Sequence, residues 1–386
     1  MSGPSGSRAE QLAALGYITS NEIRDEDLHK DGVTLYRRDK SAPGVNVYCS
    51  EDSDTLKLVG MDGELLHSVA VSNPNVRMRS NQCKTAAFDS AGNFVMVLEN
   101  TALVKSDLDG RELWRRNGRY HHDVDVLDDG TTFALRQQLH IRDNAFSADG
   151  EIIDNRIVRV SAEGEILEEI SLAKMVRDVP ALLEKAKRHI AEPRYTSELR
   201  EEFLRRDVFH TNSIRVLRSD VRVGPDTVFK AGWILLCVRH LDSVMVVDPA
   251  QARIVWHWGA PELQWPHNAS FRSDGTLLVF DNGVGRQHSR VLSVSPATGQ
   301  IVGAYKGAPP SSFFSRTRGS IQMLENGNRL ICESEKGRVF ELDSSDEVVW
   351  EYWNPDRDRT QKKRSTIFEF NRISVESHPF LRRFVK

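Results

Sequence analysis

The sequence lacks several features that define large classes of protein. Its net charge is only −3, which argues against the basic surface that nucleic-acid-binding proteins usually carry. It contains no apolar run long enough to cross a membrane and no visible signal peptide. Its four cysteines show no spacing typical of a zinc site or a redox motif. The features that bear on function are recurring strand motifs and the placement of histidine.

The four cysteines lie in two different settings. Cys237 and Cys332 lie within apolar segments that predict strands, so we expect them to be buried as small hydrophobic residues. Cys49 and Cys83 could form a disulfide in an oxidising compartment. The sequence alone does not decide between the thiol and disulfide forms of that pair.

The N-terminal segment differs in character from the rest of the chain. Residues 1–30 are rich in small and charged residues and predict a flexible, peripheral leader. We expect residues 31–386 to form one domain. As the chain stands, the missing signal peptide predicts a cytoplasmic protein, and removal of an N-terminal leader would make it periplasmic or membrane-anchored instead.

One short unit recurs along the chain. It consists of two strands of alternating polarity joined by an Asp-Gly turn, and it is clearest over residues 265–283. Similar hairpins return about every 40 to 50 residues, a spacing typical of propeller blades. Six units can be counted. The sequence therefore predicts an all-β protein that folds as a six-bladed β-propeller.

Two further segments complete this prediction. The first blade is expected to include strands at residues 33–37 and 45–49, and the strand-like segment 365–373 should pair with it to close the ring. Between blades three and four, residues 172–206 place apolar side chains at helical spacing among many charges. We predict a helical insertion there, as a lid over the propeller or as a surface decoration.

Histidine recurs at the start of these units. Counting eight residues back from the turn glycine gives His122 and His267 and, in the second unit, Lys84. His210 opens the fourth unit, whose turn is lengthened by an insertion at residues 219–230. Because equivalent positions of a propeller face one central axis, we expect these side chains to meet.

Two more side chains are expected to join them. Asn212 shares a strand face with His210, and Arg239 ends the next strand of the same blade. Together they predict a cationic, imidazole-rich pocket suited to a small oxyanion such as a sulfate or phosphate group. Imidazole can act there as a nucleophile, an acid or base, or a metal ligand. Of the other histidines, His240 is the least clear case because it neighbours Arg239. Seven are expected to be structural: His67, His140, His189, His240, His257, His288 and His378.

The motifs around these residues resemble the arylsulfotransferase (aryl-sulfate sulfotransferase) family. The similarity lies in residues 121–123, 209–214, 266–271, 274–283, 319–322 and 326–328 and in the hairpin at residues 62–63. It extends over roughly residues 30 to 375. It implies a six-bladed propeller enzyme that moves a sulfuryl group from an aryl sulfate to a phenol, without 3′-phosphoadenosine 5′-phosphosulfate or another cofactor.

The resemblance also implies roles for the residues of the pocket. His267 would become sulfated as a covalent intermediate, which gives ping-pong kinetics. His210 and His122 would contact the sulfuryl group and exchange protons with the phenols. Arg239 and Asn212 would stabilise the sulfuryl oxygens.

Substrate-binding residues and partners complete the expectations. Lys84 and His121 are expected to bind substrate, and Trp265 and the pair Phe313 and Phe314 are candidates either for stacking on an aryl ring or for core packing. The expected partners are a small aryl sulfate and a phenolic acceptor, not a nucleic acid, and a homodimer stays open. No metal is expected. The family is often exported to the periplasm or anchored to a membrane.

Two other classes of function stay open. Three histidines can hold a divalent metal, which would suit a metal-dependent propeller lyase or hydrolase, although no carboxylate or glutamine ligand stands at the matched positions. A non-catalytic propeller that binds proteins or glycans on its rim is the other alternative. Metal analysis tests the first, and replacement of the pocket histidines tests the second.

Overall fold

The structure is a computed structural model that describes residues 20–50, 55–70, 83–146, 151–192 and 205–385. Six antiparallel sheets follow one another around a central axis. In each sheet, one edge strand contacts the corresponding edge strands of the two neighbouring sheets. These six innermost strands therefore surround the axis. The predicted six-bladed β-propeller is therefore confirmed.

Each of the first three blades contains four strands, which follow one another from the axis outward. Blade one contains Ile367–Ile373, Val45–Ser50, Thr55–Val59 and Leu65–Ala70. Blade two contains Cys83–Phe88, Phe94–Leu98, Ala102–Ser106 and Glu112–Asn117. Blade three contains Tyr120–Val126, Thr132–Arg142, Glu151–Val160 and Ile166–Ser171.

The other three blades follow the same order. Blade four contains Thr211–Val216, Ile234–Val238, Ser243–Asp248 and Arg253–Gly259. Blade five contains Pro266–Phe271, Leu277–Asp281, Arg290–Val294 and Ile301–Tyr305. Blade six contains Ser320–Met323, Arg329–Glu333, Arg338–Leu342 and Val348–Trp353, with Gly32–Tyr36 as a fifth, outer strand.

Both ends of the chain take part in closing the ring. Ile367–Ile373 pairs with Val45–Ser50 and becomes the innermost strand of blade one, as predicted. Gly32–Tyr36 pairs with Val348–Trp353, so the prediction that it belongs to blade one was wrong. Strand alternation identifies a strand but not its partner, and blade one already has four strands once the C-terminal strand is added.

The segment before Gly32–Tyr36 is only partly described. Residues 1–19 of the predicted leader lie outside the described residues. Ser20–Glu22 pairs with Lys363–Ser365, and Asp25–Asp27 forms a single 3-10 turn. The domain boundary at residue 30 stays a prediction.

Two helices separate blades three and four. We call them α1 (Leu172–Arg177) and α2 (Pro180–Ala191). The side chain of Ser171 accepts a hydrogen bond from the Lys174 backbone N–H and caps α1, while Pro180 occupies the first turn of α2. Both helices bury apolar side chains in the core cluster shared by blades three and four. The rest of the predicted insertion, residues 193–204, lies outside the described residues, and no helix in the described part is long and apolar enough to span a bilayer.

The insertion in the first hairpin of blade four forms a hairpin of its own. Its strands are Val221–Arg222 and Val228–Phe229. The hairpin lies against the turn of blade five, where a Cβ on Gly275 would come within 2.0 Å of the Arg222 carbonyl oxygen. Gly275 also has a φ of +83°, so both the close approach and the backbone conformation require glycine there.

Two of the four cysteines are joined in a disulfide and two are free. Cys49 and Cys83 form a disulfide that joins blade one to the innermost strand of blade two. Cys237 and Cys332 are free and buried within strands of blades four and six, as expected. The disulfide answers the question that the sequence left open, and it places a covalent link directly before Lys84.

Candidate active site

Three of the predicted histidines meet where the inner strands begin. His122 and His267 lie within the inner strands of blades three and five, and His210 directly precedes that of blade four. The ring centroid of His122 lies 4.8 Å from that of His210 and 6.2 Å from that of His267. The structure therefore brings together side chains that are up to 145 residues apart in the printed sequence.

The regular strand pairing is interrupted at this level of the channel. The inner strand of blade five has its irregularity at His267, and that of blade four has it at Asn212. The pairing of blades two and three also shifts, after Cys83 and after Tyr120. A β-bulge leaves one residue outside the ladder and re-aims its side chain, which is why bulges are common beside active sites.

The strand register corrects one part of the sequence analysis. Asn212, and not His210, occupies the position equivalent to His267, because each lies at the bulge four residues before the last paired residue of its inner strand. His210 lies two residues earlier, before the strand. The sequence took His210 as the matched residue because the insertion at residues 219–230 lengthens the turn of blade four, so the start of that unit could not be counted from a turn glycine.

The backbone is unusual at three positions around this cluster. His122, His210 and Trp265 have φ values of 59°, 47° and 59°, in the left-handed region that side chains other than glycine rarely adopt. Such conformations cost about 1–3 kcal/mol each and concentrate at functional sites. The fold therefore holds two of the three histidines in conformations that an unconstrained chain would avoid.

His210 is held on both sides of its ring. Its Nδ1 lies 2.5 Å from Oδ2 of Asp207, and its Nε2 accepts a hydrogen bond from Nη1 of Arg239 at 3.2 Å. Arg239 begins the 3-10 turn Arg239–Leu241, directly after the second strand of blade four. Its guanidinium carbon lies 3.7 Å from the ring centroid of Trp265. Arg239 thus lies beside His210, where the sequence placed it, and Trp265 packs against the arginine.

His267 is the least satisfied side chain of the cluster. It is 3% exposed, and neither of its ring nitrogens has a hydrogen-bond partner among the described residues. Burial, followed by the nearby charge of Arg239, lowers the pKa of His267 well below its usual value. Burial and the neighbouring His210 lower the pKa of His122 in the same way. Both imidazoles are therefore neutral at pH 7, each with one nitrogen lone pair.

Asn212 and Lys84 lie around the histidines. Nδ2 of Asn212 donates to the carbonyl oxygen of Pro266 at 2.9 Å, next to His267, and its Oδ1 is buried without a partner in the described part of the chain. Nζ of Lys84 lies 5.6 Å from the ring centroid of Phe368. The Phe368 ring lies 5.3 Å from that of His267, so lysine and histidine approach the same aromatic ring.

His121 contacts the cluster through its neighbour. It is fully buried, and its Nδ1 lies 2.9 Å from Nδ1 of His122. Burial lowers the pKa of His121 to about 3. His121 is therefore a neutral partner of the His122 ring.

Comparison with known protein families supports the motif resemblance. A family model described as Arylsulfotransferase (ASST) matches residues 88–355, which is more than half of the chain. This chain belongs to the arylsulfotransferase family. The match contains His122, His210, Arg239 and His267, whereas Lys84 lies just before it.

Two solved structures are similar to this arylsulfotransferase-family chain to different degrees. A protein of unknown function from Bacteroides caccae has a TM-score of 0.56 at 15% identity, with 85% of this chain and 98% of that chain covered. Virginiamycin B lyase from Staphylococcus aureus has a TM-score of 0.47 at 11% identity, with 88% of each chain covered. The first likeness shows the fold alone, and the second is too weak to support an argument. No curated protein matches the sequence significantly.

Three residues near the arylsulfotransferase-family histidines were missed from the sequence. Asp207 is 1% exposed and contacts His210, and Phe368 comes from the strand that closes the ring. His240, which was expected to be structural, donates from Nδ1 to the Asp207 carbonyl oxygen and lies 4.9 Å from the His210 ring. The pattern Asp-x-x-His before the strand was the only local signal for Asp207.

Helix α2 borders this group of residues. The ring of His189, on α2, stacks on that of His240 with a centroid distance of 4.3 Å. A cavity of about 270 Å³ lies between the helix and the turn after the second strand of blade four, and its lining includes Lys185, Arg188 and Asp242. The insertion is therefore adjacent to the histidine cluster.

Phe313, one of the candidates for stacking on an aryl ring, is 1% exposed within the core cluster of blades five and six, so it packs in the core.

One group of side chains could hold a metal ion. The potential ligand atoms of Asp207, His210 and His240 lie within 4.8 Å of one another. Burial raises the pKa of Asp207, but the attraction and hydrogen bond of His210 outweigh this and leave the pKa below its usual value. The carboxylate is therefore ionised at pH 7, and it is already paired with His210.

Proposed function

We propose that this protein transfers a sulfuryl group from an aryl sulfate to a phenolic acceptor through a sulfated His267, without a nucleotide sulfate donor. The observation that carries the proposal is the state of His267, which is buried and neutral and has no hydrogen-bond partner among the described residues. A nucleophile needs a free lone pair, and a buried polar atom without a partner is otherwise costly. Membership of the arylsulfotransferase family points to the same chemistry.

In the first half-reaction, a ring nitrogen of His267 attacks the sulfur atom. The N–S bond forms as the bond between sulfur and the aryl oxygen breaks, and the electron pair leaves with the phenolate. Arg239 and Asn212 are proposed to stabilise the sulfuryl oxygens, because fixed donors aimed at developing charge are usually the largest contribution to catalysis. Lys84 adds a second cation near the Phe368 ring.

In the second half-reaction, the acceptor phenol attacks the same sulfur atom. Its oxygen forms the new S–O bond, the N–S bond breaks, and the electron pair returns to His267. The phenolic proton passes to His210 or His122, and general-base help of this kind contributes a typical factor of about 10² to 10⁴ in rate. Lys84, Asn212 and His121 are proposed to bind substrate, and Phe368 offers an aromatic surface for the aryl ring.

Steady-state kinetics test the proposal. Initial rates are measured with a chromogenic aryl sulfate and a phenol, each varied at several fixed concentrations of the other. The proposal predicts parallel double-reciprocal lines, and it predicts a burst of released phenol of about one per active site when no acceptor is present. Intersecting lines, or no phenol release at all, would contradict it.

A metal-dependent lyase or hydrolase is the second candidate, and it rests on the grouping of Asp207, His210 and His240. These residues combine nitrogen and carboxylate donors of the kind that zinc accepts. Elemental analysis of the purified protein, followed by activity before and after chelation, distinguishes the candidates. Sulfuryl transfer by His267 predicts activity that survives chelation, whereas the lyase or hydrolase predicts activity that is lost with the metal.

A further inference from the structure

The contacts of His210 define where its proton lies. A guanidinium group only donates hydrogen bonds, so the nitrogen that accepts from Arg239 carries the lone pair. That nitrogen is Nε2. In a neutral ring the proton must then be on Nδ1, which lies 2.5 Å from the Asp207 carboxylate. The geometry is consistent with one tautomer only, with the N–H of Nδ1 donated to Asp207.

The segment that contains Asp207 is firmly anchored. The carbonyl oxygens of Asp207 and Phe209 accept hydrogen bonds from His240, and that of His210 accepts from the Arg239 backbone N–H at 3.3 Å. Val208 and Phe209 are fully buried. Residues 207–210 are therefore attached to the turn that carries Arg239, so the carboxylate, the imidazole and the guanidinium form one rigid unit.

The remaining oxygen of Asp207 strengthens this argument. Its Oδ1 is buried and has no hydrogen-bond partner among the described residues. The carboxylate is thus removed from water, and its Oδ2 lies against Nδ1 of the His210 ring. A buried carboxylate in this position stabilises an imidazolium that forms during a reaction, as in the catalytic triads of hydrolases.

We propose that Asp207 is a positioning residue that fixes His210 in the Nδ1–H tautomer, so that Nε2 is the base for the acceptor phenol. This inference rests on the proposed sulfuryl transfer. When a sulfuryl group binds, its oxygens compete for the Arg239 donor that Nε2 accepts in the empty site. Nε2 then takes the proton from the phenol as the S–O bond forms, Asp207 stabilises the imidazolium, and the proton leaves to solvent after the product departs.

The proposal predicts that the two half-reactions depend differently on Asp207. A donor whose phenolate is a good leaving group, such as 4-nitrophenyl sulfate, needs no proton from His210 in the first half-reaction. A weakly acidic acceptor must lose its proton to Nε2 in the second. An acidic acceptor that is already ionised at the assay pH has no proton to give and therefore bypasses the base.

The test uses Asp207→Asn, which keeps the shape but allows the amide to donate and so favours the wrong tautomer. The burst of 4-nitrophenol should stay within about threefold of wild type. Transfer to unsubstituted phenol should fall by about 10² to 10⁴, while transfer to an ionised acceptor should fall by less than about tenfold. An equal loss with both acceptors and in the burst would indicate a merely structural role and overturn the proposal.

Two further measurements keep the proposal falsifiable. Asp281→Asn is the matched control, because Asp281 is also fully buried and is paired with arginines in blade five, and it should change both half-reactions by the same factor. If Asp207→Asn does not fold, ¹⁵N NMR of wild-type imidazoles, assigned with His210→Gln, decides instead. A proton on Nε2 of His210 would overturn the proposal. A wild-type protein with no phenol burst would contradict the proposed function and not this inference.

Discussion

The central channel contains two adjacent layers of buried polar side chains, and they are built in opposite ways. In the histidine layer, the ring of His267 has no hydrogen-bond partner in the described part of the chain, and the guanidinium group of Arg239 donates a hydrogen bond to His210. In the layer directly below, the carboxylates are paired. Arg215 bridges Asp123 of blade three and Glu369 of blade one, and Glu369 also accepts a hydrogen bond from Thr85 of blade two.

The paired layer explains how the inner strands hold together. Oδ2 of Asp123 accepts from the Ile214 backbone N–H at 2.9 Å, and Oδ2 of Asp125 accepts from that of Val216 at 2.7 Å. These contacts attach the inner strand of blade three to that of blade four. Buried polar groups normally have hydrogen-bond partners. We therefore interpret the layer of paired carboxylates as structural, and the histidine layer as the place where a ligand supplies the missing partners.

The largest expected effect is at His267. His267→Asn should lower phenol release by about 10³ or more, because the variant lacks the ring nitrogen that attacks the sulfur atom. Its free energy of unfolding should not fall, since the imidazole that is removed makes no hydrogen bond there. Initial rates and urea unfolding measure the two quantities. His257→Asn, on the outer strand of the fourth blade, is the control. A His267→Asn protein with more than a tenth of wild-type activity would contradict the assignment of catalysis to the histidine layer.

The next effect concerns the paired layer. Asp123→Asn leaves the half-buried Arg215 with one carboxylate fewer and removes a charged acceptor from the inner strands, so it should lower the free energy of unfolding by about 2 kcal/mol. Activity per folded molecule should fall far less than in His267→Asn. Urea unfolding measures the first quantity, and the exposed Glu64→Ala should stay within about 0.5 kcal/mol of wild type. Unchanged stability in Asp123→Asn would show that the network does not hold the blades.

Arg239 tests the chemistry of the histidine layer more finely. Arg239→Lys keeps the charge but removes the planar set of donors that serves both His210 and a sulfuryl oxygen, so kcat/KM should fall by about 10². Arg253→Lys, on the outer strand of the same blade, is the matched control and should resemble wild type. If Arg239→Lys retains more than a third of wild-type kcat/KM, charge alone is sufficient there.

The smallest effect is the response of stability to acid. Burial lowers the pKa values of His121, His122, His240 and His267, so below pH 6.5 the unfolded chain binds protons that the folded protein does not. Stability therefore decreases as the pH falls below 6.5, by about 1 kcal/mol per histidine between pH 6.5 and 5.5. His267→Asn removes one such group, and urea unfolding at the two pH values should show a decrease smaller by about 1 kcal/mol. An equal decrease in both proteins would mean that His267 is protonated in the folded state.

The sequence alone predicted the features that depend on repeated, local patterns. Asp-Gly turns and strand alternation predicted six blades, and the count from the turn glycine brought His122 and His267 to one level. It could not assign Gly32–Tyr36 to blade six, because an edge strand has the same alternation whichever blade it joins. It also misplaced His210 by two residues, because an insertion lengthens the turn of blade four and the start of that unit could not be counted from a turn glycine.

The residues that sequence reasoning missed have a common cause. Phe368 is about 100 residues from His267 in the chain and reaches it only because the C-terminal strand closes the ring. Asp207 follows the insertion and precedes the strand, where neither alternation nor helical spacing applies. Their importance comes from contacts between distant segments, which no local pattern contains.

The most direct test of the account is whether a sulfuryl group becomes attached to His267. The protein is incubated briefly with a chromogenic aryl sulfate and measured by intact-mass spectrometry, followed by peptide mapping under conditions that preserve phosphoramidate-like N–S bonds. The account predicts a gain of one sulfuryl group on His267, its loss on addition of phenol, and no gain in His267→Asn. Phenol release without any adduct, or an adduct on another residue, would contradict it.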